Sequence, residues 1–340
     1  MKPARPLLHS VLLPVLACAG LAFSPAASAS ASALPPGCEM GNPASLPISF
    51  TDDLRPVGKA SLNGTTIPVM LSIGSAESVT LNKKTLDQLG IAVRSSTSTM
   101  SATDERNPTG ITLVRTDLAH ALVDEFAFGL ARTKRASYLV EDFMDDTFGA
   151  RLGAGSLLQT DLEVALDAGY LKFFKPEGCI RGHLAYWDPE AVAVPVLYDP
   201  WKRDPRIIFT VRIDGKDVSA MLSTATPHSY LPKAAAVRLG LTPESPGATR
   251  EDPVPGDDAS KPVWKIPVPA MSIGALQVSD LDLRLMDLPH SGQIVVLGTD
   301  FLHRHRVYIA MSQKQIYFSP IATPRVMKQG SVKVIPAAIE

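Results

Sequence analysis

Two short segments of the sequence contain the residue types best suited to chemistry. They read "MLSIGSAESVTL" and "MLSTATPHSYL", and each has a serine directly after Met-Leu, at Ser72 and Ser223. A serine hydroxyl does not ionise near neutral pH, so it acts as a nucleophile only when a base lies beside it. The chemistry of these segments therefore depends on which residues stand close to the two hydroxyls.

Four other groups are candidates for catalysis or metal binding. His228 and Glu77 each follow one of the two serines by five residues, and we interpret both as solvent-facing side chains at a loop-to-strand junction rather than as bases. "HRHR" (303–306) is interpreted as a solvated turn rather than a metal site. "EDFMDD" (141–146) lacks the glycine and spacing of a calcium loop and is interpreted as a charged connection. There is no glycine-rich phosphate loop, and we predict neither a metal nor a cofactor.

The two serine segments belong to an internal repeat. Residues 62–72 ("LNGTTIPVMLS") match residues 213–223 ("IDGKDVSAMLS") at an offset of 151, as 223 minus 72 gives. Residues 152–173 match residues 297–318 at an offset of 145, as 297 minus 152 gives. Segments that share several patterns in the same order are expected to share a chain path. The chain therefore contains two copies of a unit of roughly 130 residues, with loops of different length.

Each unit has the sequence pattern of a small β lobe. Asn63-Gly64 and Asp214-Gly215 interrupt alternating apolar residues and predict two-residue hairpin turns. One helical stretch follows each serine segment, at residues 82–91 and 232–241, and contains the Leu-Gly pair typical of a helix end. We therefore predict a mostly β fold with two lobes related by a pseudo-twofold axis, each with one short helix.

The order of these features resembles the lobes of retropepsin-like and pepsin-like aspartic proteases (peptidase A2-like), and the resemblance covers about residues 46–320. In that family each lobe has a hairpin, a loop reading Asp-Thr/Ser-Gly-Ala/Ser, a strand that begins with serine, a short helix and a distal Leu-Gly segment. The corresponding parts here are the loops 72–75 and 223–226, the strand-start serines Ser78 and Ser229, and the distal segments 152–157 and 297–302.

The resemblance also shows what is missing. The family's mechanism uses one carboxylate from each lobe, so that one holds a proton while the other takes one from a shared water. Both positions are serine here, Ser72 and Ser223, so no catalytic residue of the family is retained. Ile73 replaces a hydroxyl residue that would bond across the lobe interface, and Ala225 replaces a glycine that Gly74 keeps. The expected ligand-binding residues are Ser72, Gly74, Ser75, Ser223, Thr224 and Thr226.

The repeat and the N-terminal composition define the predicted domains. They are a signal peptide at 1–33, an N-terminal lobe at 34–180, a linker at 181–193, a C-terminal lobe at 194–320 and a tail at 321–340. The first segment has basic residues, an apolar run and small residues with Ala-x-Ala cleavage choices. An uncleaved anchor is the alternative, but the apolar run is short for a bilayer span. A lipoprotein anchored at Cys18 is a minor alternative, because "VLAC" is a poor lipobox.

Signal cleavage would leave two cysteines, Cys38 and Cys179. An even pair in an oxidising compartment predicts one disulfide, which would join the two ends of the first lobe. Two free buried thiols are the alternative, and no Cys/His spacing resembles a zinc site. We therefore expect an exported protein, periplasmic or secreted, without a stable membrane span after cleavage.

Composition limits the classes of partner. The chain has 340 residues, 45% of them hydrophobic, and a net charge of -1, so neither disorder nor nucleic-acid binding is indicated. Both lobes lie in one chain, so a monomer is expected.

Three function classes stay open. The favoured one is an inactive protease homologue (a pseudoenzyme) that binds an extended peptide or a protein partner in the cleft between the lobes. The others are a hydrolase with an unrecognised constellation and a structural exported domain. An open groove with polar walls would favour binding, a collapsed groove a structural role, and a buried carboxylate pair elsewhere an enzyme.

Overall fold

The computed structural model describes residues 34–104, 107–143, 145–197, 204–251, 262–268, 270–286 and 293–322. The predicted signal peptide, Cys18 and most of the predicted C-terminal tail lie outside these residues. Within the described ranges, no helix is both long enough and apolar enough to cross a bilayer.

The first half of the chain folds around one large sheet. Its elements are β1 (Ala44–Pro47), β2 (Ser49–Phe50), β3 (Pro56–Leu62), β4 (Thr65–Ser72), β5 (Val79–Asn82), α1 (Lys83–Gln88), β6 (Val93–Asp104), β7 (Asn107–Phe128), β8 (Ala131–Glu141), β9 (Ala150–Gly153), α2 (Ala154–Leu157), β10 (Asp161–Ala165) and β11 (Tyr170–Phe174). Eight strands form the order β2-β3-β4-β9-β5-β8-β7-β6, and β3 also pairs with β7. This extra pairing curls the sheet toward a barrel.

The second half repeats much of this arrangement. Its elements are β12 (Val192–Pro195), β13 (Ile208–Ile213), β14 (Lys216–Leu222), β15 (Tyr230–Pro232), α3 (Lys233–Leu239), β16 (Thr249–Glu251), β17 (Val263–Pro267), β18 (Met271–Ile273), β19 (Leu276–Val278), β20 (Asp282–Met286), β21 (Val295–Leu297), α4 (Thr299–Leu302), β22 (His305–Ala310) and β23 (Gln315–Pro320). Nine strands form the order β16-β17-β20-β15-β21-β14-β13-β18-β19. β12 begins at Val192, inside the segment predicted to be a linker.

A third sheet joins the two halves. Its order is β1-β11-β10-β22-β23-β12, so three strands come from each half. β10 and β22 meet in the middle as an antiparallel pair, with Val164 opposite Val307. Both of these valines are fully buried in the main core. The repeat predicts strands in these segments, but not that strands from different lobes pair with each other.

The predicted turns have the backbone conformation that their sequences require. Asn63 and Gly64 have φ of 48° and 85°, and Asp214 and Gly215 have φ of 47° and 75°. Two-residue hairpin turns of this kind need positive φ at both central positions. Gly240 ends α3 in the left-handed conformation, as a C-cap glycine does. Each lobe also has a second, one-turn helix, α2 or α4, directly after its distal Leu-Gly pair.

Candidate functional site: the serine loops and the adjoining cleft

The two serine loops occupy matching places in their sheets. The Ser72 loop connects β4 to β5 with β9 between them, and the Ser223 loop connects β14 to β15 with β21 between them. A Cβ on Gly153 would lie 2.0 Å from a carbonyl oxygen of the first loop segment, and one on Gly298 would lie 2.6 Å from a carbonyl oxygen of the second. Glycine is therefore required in both distal Leu-Gly pairs, because a side chain would collide with the loop backbone.

Each loop contains a hydrogen-bonded pair of hydroxyl groups. Ser72 Oγ lies 2.7 Å from Ser75 Oγ, and Ser223 Oγ lies 2.7 Å from Thr226 Oγ1. Ser72 and Ser223 are buried, with 1% and 4% of their surface exposed. A hydroxyl can donate and accept without carrying charge. The paired hydroxyls therefore stay neutral across the acidic and neutral pH range.

The two loops contact each other across the lobe interface. Thr224 Oγ1 accepts a hydrogen bond from Ile73 N at 3.2 Å and donates one to Leu71 O. A Cβ on Gly74 would lie 2.9 Å from Ser223 Cβ, so the first loop packs directly on the second at this point. These contacts bring predicted site residues from both lobes to one place, and Thr224 is their polar link.

The two loops are supported by different groups. In the second lobe, Asp300 accepts hydrogen bonds from Ser229 N at 2.8 Å and from Ser229 Oγ at 2.7 Å. Ser229 Oγ also accepts one from Gly298 N at 2.9 Å. The matching position in the first lobe, 300 minus 145, is Gly155. A Cβ there would lie 2.5 Å from Ser78 Oγ, so close packing takes the place of the carboxylate.

An open cleft of about 1090 Å³ lies beside the second loop and has walls from both lobes. Its lining includes Thr51, Asp53, Arg55, Met70, Phe143 and Arg151 from the first lobe and Ala225, Thr226, His228, Tyr230, Arg284 and Met286 from the second. Thr226 thus connects the cleft to the buried hydroxyl of Ser223. The lining mixes charged, hydroxyl and apolar side chains, so the groove is neither collapsed nor purely hydrophobic.

Ion pairs organise the first-lobe wall of the cleft. Arg55 Nε lies 2.8 Å from Asp53 Oδ2, and Arg55 Nη2 lies 2.7 Å from Asp145 Oδ2. Burial opposes ionisation of Asp145, but hydrogen bonds from Thr147 and Arg55 outweigh it and hold the pKa of Asp145 below its usual value. These carboxylates are therefore ionised at neutral pH and form a fixed, partly neutralised wall.

The ion pairs of Arg55, called the arginine fork, are not among the predicted site residues, although the repeat contains a signal for them. Asp53-x-Arg55 returns as Asp204-x-Arg206 at the offset of 151, as 204 minus 53 gives. In the second lobe Arg206 Nε donates to Asp204 at 2.9 Å. Hydrogen bonds donated to the neighbouring carboxylate favour the charged form of the guanidinium, so the pKa of Arg206 is raised. A search of the repeat for paired charges would have found both forks.

Neither His228 nor Glu77 is placed as a catalytic base beside a loop serine. His228 is exposed on the cleft wall, and Glu77 is partly buried. Among the described residues, the hydroxyls of Ser72 and Ser223 bond within their own loops and not to either side chain. Reduced hydration in the cleft, together with the charge of Arg284, lowers the pKa of His228. The histidine is therefore a neutral cleft residue near pH 7.

The interpretation of residues 303–306 as a solvated turn holds only in part, since residues 303 and 304 form a turn but neither histidine is exposed. His305 begins β22 and is 7% exposed, and its ring stacks on Phe301 with the ring centres 4.1 Å apart. His303 packs against Phe50, with ring centres 5.1 Å apart. His303 Nε2 also lies 3.2 Å from Leu54 O, and His305 Nδ1 lies 2.9 Å from Phe301 O, so both rings are held by protein contacts. In the described part of the chain, no three His, Cys, Asp or Glu side chains form a group that could hold a metal ion.

Two carboxylates are buried in the shared sheet. Asp161 and Glu163 lie two residues apart on β10 and are 1% and 0% exposed. Asp161 accepts hydrogen bonds from Ser312 N and Oγ at 2.8 Å, and burial raises its pKa. Glu163 accepts from Arg306 Nε at 2.8 Å and from Tyr170 at 2.9 Å. Protein groups already donate to both carboxylates. We therefore interpret Asp161 and Glu163 as part of a hydrogen-bond network that stabilises the shared sheet.

The predicted disulfide joins Cys38 to Cys179, whose Cα atoms are 4.4 Å apart. Beside it, Glu39 and Glu177 form an antiparallel bridge between the same two segments. The bond therefore fastens the segment before β1 to the segment after β11. A disulfide of this kind is compatible with an oxidising compartment.

Comparisons with known proteins support this architecture. A sequence profile of the family described as aspartyl protease matches residues 209–301, which include the second serine loop. No curated protein matches the chain. The fold is similar to the crystal structure of an aspartic proteinase from Irpex lacteus, with a TM-score of 0.50 and 13% identity over 84% of this chain and 99% of that chain. The chain therefore has a mostly β, two-lobed fold of the aspartic proteinase type, as predicted.

Proposed function

We propose that the protein is an exported, catalytically inactive relative of aspartic proteases that binds an extended peptide or protein segment in the cleft between its lobes. One observation carries the proposal: a cleft of about 1090 Å³ stays open beside loops whose central residues are neutral hydroxyl pairs. A single chain supplies both walls of the cleft.

The absence of catalysis follows from the chemistry of two positions. In this proposal Ser72 and Ser223 stand where aspartic proteases have their two carboxylates. Hydrolysis by that route needs one carboxylate that takes a proton from water and one that donates a proton. A serine hydroxyl cannot take that proton at acidic or neutral pH, and each hydroxyl is already hydrogen-bonded within its loop at 2.7 Å. We therefore assign no proton transfer to the loops.

Binding is supported by the groups that the cleft offers. Tyr230, Met70 and Met286 provide apolar surface on its walls. Arg55, Arg151 and Arg284 also line the cleft, and Arg151 Nη2 donates to Glu141 at 2.9 Å. Guanidinium N–H groups donate to carbonyl oxygens, which favours a ligand with exposed backbone oxygens.

Export is supported by the N-terminal sequence and by the disulfide. Residues 1–33 have the composition of a signal peptide. Cys38 and Cys179 are bonded, and such bonds persist in the periplasm or outside the cell. In this proposal the cleft therefore meets extracytoplasmic peptides.

A binding assay tests the first half of the proposal. Fluorescein-labelled, unfolded casein peptides should show a rise in anisotropy with the purified protein. Ala225→Trp should fill the cleft and weaken binding by about tenfold or more, and Tyr230→Ala should weaken it by removing an apolar wall. Ala275→Trp, on the exposed turn between β18 and β19, is the matched control and should bind as the parent does.

A cleavage assay tests the second half. The protein should not cut unfolded casein between about pH 3 and pH 7, the range in which a carboxylate pair would titrate. Ser72→Asp combined with Ser223→Asp should create a carboxyl pair but little catalysis, because Ile73 and Ala225 still depart from the family loop. Acid-dependent cleavage by the parent that Ser72→Ala or Ser223→Ala abolishes would overturn the proposal. Absence of peptide binding would favour a purely structural domain.

A further inference from the structure

The β7–β8 turn and the β18–β19 turn are matching parts of the two lobes with different surfaces. Gly129 and Gly274 both have φ of 57°, and their positions differ by the repeat offset of 145, as 274 minus 129 gives. A Cβ on Gly274 would lie 3.0 Å from Val192 and 3.1 Å from Val194, so the second-lobe turn packs against β12. A Cβ on Gly129 would meet nothing within 4 Å. The first-lobe turn therefore projects freely from the protein.

We name residues 129–135 the basic turn, because its side chains are exposed and several are cationic. Leu130 at its apex is 90% exposed, and it is the most exposed large hydrophobic residue in the described part of the chain. The second lobe has Ala275 at this position, as 275 minus 130 gives the same offset. Arg132, Lys134 and Arg135 follow in the first lobe, where the second lobe has Gln277, Ser279 and Asp280.

The backbone of the basic turn shows that charge, rather than conformation, distinguishes the two copies. Arg135 has φ of 49° and its counterpart Asp280 has φ of 54°. The left-handed region favours Asp and disfavours a long side chain. The first lobe therefore has Arg135 at a position where the backbone conformation favours aspartate, the residue of the second lobe.

The charges that face the basic turn leave a positive surplus. Lys59 is exposed on β3. This strand lies beside the basic turn, because Ala60 of β3 pairs with Phe128 of β7. On the carboxylate side, Glu125 lies 3.3 Å from Arg132, and Asp124 is exposed beside it on β7. The basic residues are Lys59, Arg132, Lys134 and Arg135. Four cations against two carboxylates leave an excess of two positive charges around an exposed leucine.

We propose that the basic turn docks on an anionic phospholipid surface, with Leu130 inserted at the interface and Lys59 and Arg132 at headgroup level. Burying an exposed leucine is favourable, and each basic residue near an anionic bilayer adds a further attraction. An acidic protein fits this shape less well. A stable protein interface buries roughly 800 Å² on each partner, whereas a two-residue turn presents one convex leucine.

The geometry predicts an order of importance along the hairpin. Strand residues advance by about 3.3 Å each, so Arg132 lies roughly 7 Å behind the apex and Arg135 roughly 16 Å behind it. Attraction to a charged surface falls off within about 8–10 Å at physiological salt. Leu130, Arg132 and Lys59 should therefore matter most, and Arg135 least.

Vesicle co-sedimentation of the natively processed protein tests the proposal. The protein should bind phosphatidylglycerol vesicles and not phosphatidylcholine vesicles, with an association constant on the order of 10³ M⁻¹ at low salt. Leu130→Ser should weaken binding by roughly tenfold. The double variant Lys59→Gln with Arg132→Gln should also weaken it by roughly tenfold.

The second lobe provides matched controls. Arg212→Gln with Lys216→Gln removes the same charge from an exposed hairpin, and Arg212 pairs with Asp217 at 2.9 Å as Arg132 pairs with Glu125. Val237→Ser removes another exposed apolar side chain, 69% exposed on α3. Both controls should bind vesicles as the parent does.

Two results would overturn the membrane assignment. Equal losses in the basic-turn variants and their second-lobe controls would show that vesicle binding is not located at this turn. Binding to soluble poly-aspartate that competes with vesicles and is insensitive to Leu130→Ser would point to an acidic protein partner instead. Neither result bears on peptide binding in the cleft, which Ala225→Trp tests separately.

Discussion

The two serine loops come from one repeated segment, yet they contribute different things to the interface between the lobes. The second loop supplies Thr224, which both accepts from Ile73 N and donates to Leu71 O. The first loop has Ile73 at the matching position, 224 minus 151, and supplies buried apolar surface. Gly74 lets Ser223 approach closely, whereas its counterpart is Ala225. The second loop therefore gives the hydrogen-bonding group Thr224, and the first loop gives the space into which Ser223 packs.

This difference shows how two repeated loops can contact each other through unlike residues and still satisfy their buried polar groups. A threonine hydroxyl donates and accepts at once, so one copy can satisfy both a buried N–H and a buried carbonyl of the other lobe. The side-chain hydrogen bonds found between the two described loops are then those of one residue, Thr224. The covalent clamp is equally one-sided, since Cys38 and Cys179 fasten only the first lobe.

Removal of the disulfide should have the largest effect on this comparison. Cys38→Ser with Cys179→Ser opens a loop with a sequence separation of 141 residues. In the chain-entropy account this lowers the free energy of unfolding by up to about 5 kcal/mol. Urea denaturation should show the loss, and limited proteolysis should cut the first lobe before the second.

Reduction of the parent protein is the control for this prediction. A thiol reductant should lower the urea midpoint of the parent to that of the double variant and leave the variant unchanged. If the parent and the variant unfold at the same urea concentration without reductant, the clamp does not stabilise the first lobe.

Replacing the polar link between the loops should have the next largest effect. Thr224→Val keeps the shape of the side chain but leaves Ile73 N and Leu71 O without this partner in a buried interface. Each unsatisfied buried group costs about 1–3 kcal/mol, so with two such groups a loss of at least about 2 kcal/mol is expected in urea denaturation.

The matched control is Ile73→Val, which shortens the side chain at the symmetric position. It removes one buried methyl group and should cost about 1 kcal/mol. Equal costs for Thr224→Val and Ile73→Val would mean that the two loops contribute alike, and the asymmetry described above would carry no energetic weight.

The smallest expected effect concerns the sheet that both lobes share. Burial raises the pKa of Asp161 in the folded protein, so the folded state holds more protons than the unfolded state above the usual aspartate pKa. The stability contributed by Asp161 should therefore decrease as pH rises through that interval. Asp161→Asn removes this titration and can still accept from Ser312.

Unfolding by urea at pH 4 and pH 7 measures the effect. The variant should gain stability relative to the parent as the pH increases, and the shift should be smaller than those of the two predictions above. A constant difference between variant and parent at both pH values would show that Asp161 does not titrate differently on folding. Asp145 should behave in the opposite sense, because its pKa is lowered in the folded protein and its contribution is lost in acid.

Much of the fold could be predicted from local patterns. Asn63-Gly64 and Asp214-Gly215 predict the two hairpin turns because their residue types accept positive φ. The cysteine count predicts the Cys38–Cys179 bond because the predicted signal cleavage would leave only this pairing. The histidines of residues 303–306 could not be placed in this way, since a polar pattern does not show that rings will stack on Phe301 and Phe50.

The sequence by itself determined the two-lobed β architecture, the paired serine loops and the lack of loop carboxylates at the two central positions. These properties depend on local residue types and on a repeat, both of which can be read along the chain. Only the tertiary structure decided that β10 and β22 pair across the lobes, that Thr224 forms a polar link between the loops, and that the cleft is open. These properties depend on contacts between residues more than 100 positions apart, and neither periodicity nor composition contains their geometry.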